Sequence, residues 1–222
     1  MPGFEIIDHE EKKAVNKLFE EGGVLLAHGF EGIRKKYHVR DLEKNLSNYF
    51  NIKHCLAVSS GTAALKIALK ALGVRRGDEV ITQAFNFVAT IEAIKDLEAK
   101  PVICNIDKTL NMDLVELESL ITKKTKVIIP VHMLGMSSRT QGIIKLARKK
   151  GIKVLEDNCE AVGGKFDKKF LGTLSDIGVL SFDHAKMITS GEGGIIMTNN
   201  KKLIKYCREY HDHGHENNKK YS

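Results

Sequence analysis

The chain has 222 residues, 42% of them hydrophobic, which is enough to bury a sizeable core and suits a single domain. Its formal charge of +7 is dispersed in lysine pairs beginning at residues 12, 35, 123, 149, 168, 201 and 219, without the basic stripe and interleaved aromatics of a nucleic-acid binder. Four cysteines with no CxxC pair argue against a disulfide framework or zinc knuckle, and no apolar run in the first thirty residues suits a signal peptide or membrane span. The expectation is a soluble protein of the reducing cytoplasm that binds neither nucleic acid nor membrane.

Residues 8–21 and 40–50 carry the apolar spacing of helices, with a glycine-containing stretch at 22–32 between them. This predicts an N-terminal helical segment, 1–50, attached to a main domain, 51–222. In that domain, apolar runs at 55–58, 79–82, 101–106, 126–131 and 152–156 alternate with helical segments near 62–72, 87–97, 113–121 and 139–150. Such βαβ repetition predicts an α/β fold. The runs VIIPV and IKVL show no polar alternation, so their strands belong in a mainly parallel sheet with helices on both faces. The segment TAALKIALKAL is apolar nearly all round, as a deeply packed helix is. After residue 156, shorter strands at 162–166, 177–182 and 193–198, separated by glycine-rich turns, predict a mixed end to the sheet.

Ligands of open α/β sheets bind at the carboxyl ends of the strands, and four clusters fall there. Ser59-Ser60-Gly61-Thr62-Ala63 joins a strand directly to a helix, where small residues and exposed amides suit an anion. Alone, it reads first as an ordinary serine cap with a glycine turn. Asp157 follows an apolar strand and can pair with a protonated ring nitrogen, or simply cap a turn. Lys186 closes Ser181-Phe182-Asp183-His184-Ala185-Lys186, at a strand's end among small and apolar neighbours, where desolvation favours addition to a carbonyl. Phe85-Asn86-Phe87 offers an aromatic face for a planar ligand, or a core contact.

The order of these clusters is more specific than any one of them. SSGTAALKIALKALG, GDEVITQAFNFVAT, LEDNCEA, SFDHAK and TSGEGG resemble successive motifs of the DegT/StrS-type sugar aminotransferases, a pyridoxal-phosphate family with the fold type I of aspartate aminotransferase. Within it, MPGFE, PVHMLG and HDHGHENN are most similar to 8-amino-3,8-dideoxy-octulosonate aminotransferases of lipopolysaccharide biosynthesis.

The resemblance implies pyridoxal 5'-phosphate as cofactor, held as a Schiff base on Lys186, which would also move protons. It implies Asp157 on the pyridine nitrogen and Phe87 on the ring, with Gly61, Thr62, Ala63 and Ser181 at the phosphate. Glu160 stands where the family commonly has Gln or His at a cofactor-binding position, and Asp183 stands where a histidine is common. The implied reaction is transamination of a keto-sugar, either nucleotide-linked or an 8-oxo-3-deoxy-octulosonate, with a donor such as glutamate, in a homodimer. Family chains are longer, so the expectation is the large domain without the small C-terminal one, and a catalytically incomplete fragment is the alternative. Related sugar-deoxygenating enzymes carry histidine in place of the lysine, and Lys186 argues against that class. A metal site built from His211, Asp212, His213 and His215 is a further alternative, although this tail reads better as a helix end.

Overall fold

A computed structural model describes residues 3–21 and 36–214. The glycine-containing stretch and His215 lie outside the described residues. A 3-10 turn, Gly3–Ile6, precedes helix α1, His9–Glu20, whose start is fixed by a capping box between Asp8 and Glu11. Helix α2 is His38–Tyr49. Then follow β1 His54–Val58, α3 Gly61–Ala71, β2 Glu79–Gln83, α4 Val88–Lys95, β3 Lys100–Cys104, α5 Leu114–Leu120, β4 Thr125–Ile129, α6 Thr140–Lys150 and β5 Lys153–Asp157. The chain continues through β6 Lys165–Phe166, β7 Lys169–Phe170, β8 Ile177–Ser181, β9 Gly194–Thr198 and α7 Lys201–His211.

Seven strands form one sheet in the order β1-β9-β8-β5-β4-β2-β3. The pairs from β8 through β3 are parallel, whereas β9 runs antiparallel to both its neighbours. The expected mixed end is therefore a single reversed strand inserted between β1 and β8. The segment expected as one strand at 162–166 is instead half of a separate ribbon, β6 with β7, turned by Asp167 and Lys168 at positive φ.

Successive side chains of a strand point to opposite faces, and here both faces are buried. Val80, Val127, Ile129, Leu155, Val179 and Ile196 pack on one face with Leu65 and Ala68 of α3, Ile94 of α4 and Ile204 of α7. Ile81, Ile128 and Val154 pack on the other with Leu117 of α5 and Ile143 and Ala147 of α6. Further along that second face, Leu180, Ile195 and Met197 meet Phe50 and Ile52 just after α2. Buried on both sides, the central strands carry unbroken apolar cores, such as Val127–Ile129 and Val154–Leu155, in place of alternation.

The open edge of β1 is closed by a charged clamp. Glu43 of α2 accepts the Ala57 amide at 2.9 Å and pairs with Arg208 of α7 at 2.9 Å, while Arg208 donates to Cys55 O at 2.8 Å. An edge strand's free donor and acceptor are thus satisfied within the chain.

Candidate active site

The carboxyl ends of β1, β2, β5 and β8 converge on a cavity of about 480 Å³, lined among others by Ser60, Gly61, Thr62, Asn86, Phe87, Thr90, Asp157, Glu160, Ser181 and Lys186. Of the cluster residues singled out from sequence, Ser59, Ala63, Phe85 and Phe182 do not line it. Ser60 caps α3, and its Oγ accepts the Ala63 amide at 3.1 Å. Gly61 and Thr62, first in the helix, have no intrahelical acceptor for their amides. Gly61 is required by close approach: a Cβ there would lie 2.9 Å from Ser181 Cβ and 3.2 Å from Cys159 Sγ. Strand β8 therefore brings Ser181 directly against the helix start.

Asp157 ends β5 and is only 4% exposed. Its backbone is pinned to the neighbouring strand, donating to Pro130 O at 3.0 Å and accepting from His132 N at 3.0 Å. Its Oδ2 accepts the Thr90 hydroxyl at 2.8 Å and its Oδ1 the Cys159 amide at 3.2 Å. Burial, and then the adjacent Asp157 carboxylate, push the Cys159 thiol well above its ordinary range, so this cysteine is a neutral wall of the cavity.

Lys186 lies in the loop after β8, where its amide donates to Asp183 O at 3.0 Å. Its surroundings are not only small and apolar, as the sequence suggests: its amine is ion-paired with Glu160 and stands 5.7 Å from the centre of the Phe87 ring. Phe87, 61% exposed, caps α4 and offers its ring to the cavity. Asp183 accepts the Ala185 amide at 3.0 Å, and this hydrogen bond, aided by His184, holds its carboxyl below the usual range. Asp183 shapes the loop that carries the lysine.

Sequence reasoning missed Thr90, and took Asn86 only as part of the aromatic cluster Phe85-Asn86-Phe87. Their signal was present, since they are four residues apart around the start of a helix that is otherwise mostly apolar. Of the histidine cluster, His211 donates Nδ1–H to Arg208 O at 2.7 Å. Among the described residues no group of three or more His, Cys, Asp or Glu is placed to hold a metal ion.

Residues 6–222 match the DegT/DnrJ/EryC1/StrS aminotransferase family. The GDP-perosamine synthase of Caulobacter vibrioides is 38% identical over 182 residues, 82% of this chain and 49% of that protein. The crystal structure of the aminotransferase from Psychrobacter cryohalolentis superposes with a TM-score of 0.87 at 30% identity, over 95% of this chain and 52% of that one. NtdA of Bacillus subtilis, solved with bound cofactor PMP, gives 0.85 at 34% identity, over 99% and 48%. The chain belongs to the DegT/DnrJ/EryC1/StrS aminotransferase family, and its sheet and helices are those of the aminotransferase structures. It spans about half the length of the curated relatives it matches.

The cavity fits the cofactor that the family and the PMP in NtdA indicate, pyridoxal phosphate. A Cβ at Gly61 would crowd the small-residue cradle beside Ser181, a buried carboxylate lines the same space, and a lysine amine closes it.

Proposed function

We propose that this chain provides the cofactor-binding part of a pyridoxal-phosphate-dependent sugar aminotransferase, with residues 51–222 as the binding domain and residues 1–50 as a helical segment joined to it. The observation that carries this reading is the placement of Lys186, Asp157 and the start of α3 around one cavity. Gly61 and Thr62 bind the phosphate through their amides, aided by the α3 dipole and the Ser181 hydroxyl. Phe87 packs against the ring, and Asp157 keeps a proton on the ring nitrogen by opposite charge. Lys186 would hold the cofactor through its amine, and the same amine, once free, is the group placed to take and return a proton. Glu160 pairs with that amine while it is free. When bound, pyridoxal phosphate supplies the electron sink that the protein's own side chains lack.

The acceptor is a keto-sugar and the donor an amino acid such as glutamate. Relatives named for perosamine synthesis support a nucleotide-linked sugar, while the resemblance to octulosonate aminotransferases supports an eight-carbon acidic sugar of lipopolysaccharide. Lys186, in place of histidine, supports transamination over deoxygenation. Exposed apolar side chains near the site, Phe87, Val88, Met187 and Ile188, support a homodimer with its sites at the interface. A cytoplasmic location suits the cofactor and the free cysteines. The test is incubation of the loaded protein with glutamate, following conversion of the bound aldehyde form to the amine form by absorbance. A cofactor that binds but never converts with any amino donor supports the catalytically incomplete fragment, and a protein that takes up no cofactor contradicts the proposal.

A further inference from the structure

Thr90 and Asp157 are 1% and 4% exposed, far apart in sequence, and joined by a 2.8 Å hydrogen bond at the cavity wall. The Thr90 hydroxyl has one proton and two acceptors, Asp157 Oδ2 and, at 3.1 Å, Asn86 Oδ1. Asn86 cannot reverse this arrangement. Its Nδ2 donates to Thr82 Oγ1 at 3.0 Å, and the Thr82 proton is itself committed to Ile129 O at 3.0 Å. The amide orientation is thereby fixed with Oδ1 towards Thr90, so Thr90 Oγ1 acts only as a donor along this chain. Its shorter, charge-assisted bond goes to the carboxylate.

We propose that Thr90 is a positioning residue for Asp157, fixing the plane of its carboxylate so that the remaining lone pairs face the cofactor's ring nitrogen. The inference rests on the reading that Asp157 meets that nitrogen. Two donors from different elements hold the carboxylate: Thr90 of α4 grips Oδ2, and the Cys159 amide in the loop after β5 grips Oδ1. A carboxylate gripped at both oxygens does not have to be ordered when a ligand arrives, which is where preorganisation gains affinity.

The test compares dissociation constants for pyridoxal phosphate and for its 1-deaza analogue, in which carbon replaces the ring nitrogen. Thr90→Val removes the hydroxyl at nearly constant shape and is expected to weaken pyridoxal phosphate about tenfold, the scale of a hydrogen bond to a charged group. The deaza analogue, with no nitrogen to meet, is expected to bind the variant and the parent alike. Thr90→Ser, which keeps the hydroxyl, is expected to restore discrimination, and Thr90→Ala supplies a second hydroxyl-free variant should valine impair folding. Equal weakening of both ligands, or of neither, overturns the proposal, because a residue that only anchors α4 affects both in the same way. Asp157→Asn is measured alongside. If it fails to distinguish the two ligands, the assignment of Asp157 falls and takes this inference with it. If it distinguishes them while Thr90→Val does not, the role of Thr90 alone is rejected.

Discussion

The amine of Lys186 is ion-paired with the carboxylate of Glu160. The pair is partly shielded, with the lysine side chain 16% and the glutamate side chain 25% exposed. Before its lone pair can attack an aldehyde, the amine has to give up this partner. Glu160→Gln keeps the shape and deletes the charge, and is expected to speed covalent capture of pyridoxal phosphate about threefold, the modest scale of a partly exposed pair. Stopped-flow absorbance measures the rate, and slower capture in the variant counts against Glu160 as a restraint.

The contact between Gly61 and Ser181 makes a second, separable prediction. A Cβ 2.9 Å from Ser181 Cβ forces the helix start and β8 apart, displacing the proposed phosphate donors. Gly61→Ala is expected to weaken pyridoxal phosphate on the order of tenfold or more, from the ~1–3 kcal/mol typical of overpacking. Pyridoxal, which has no phosphate, is expected to bind the variant and parent equally. Titration with both ligands decides the matter, and an equal loss for both removes the phosphate from the argument.

Neither Glu43 nor Arg208 lines the cavity, and their clamp is expected to contribute to stability and not to chemistry. Glu43→Ala leaves the Ala57 amide and the Arg208 guanidinium without this partner at a largely buried edge. The expected loss is about 2–3 kcal/mol, the range for stranding a buried donor and one member of a charged pair. Denaturant unfolding measures it, and a change below the error of the method contradicts the clamp.

Most of the sheet was legible because strands buried on both faces carry unbroken apolar cores, as Val80–Ile81, Val127–Ile129 and Val154–Leu155 do in β2, β4 and β5. The position of β9 was not, because pairing partners are chosen by packing across the chain and leave no local mark. The β6–β7 ribbon escaped because Asp167 and Lys168 turn it without the glycine that signals a tight hairpin. At the site, Lys186, Asp157, Ser181 and Gly61 stood out by falling at strand ends. Thr90 did not, since its significance depends on a partner on β5 that only the fold supplies.

The central claim is that Lys186 is the residue that takes the cofactor. The most direct measurement is reduction of the pyridoxal-phosphate-loaded protein with borohydride, followed by peptide mapping, in the parent and in Lys186→Ala. The account predicts one phosphopyridoxyl group, on Lys186, in the parent, and none in a variant that remains folded. Recovery of the label on another lysine, or undiminished labelling of Lys186→Ala, contradicts it.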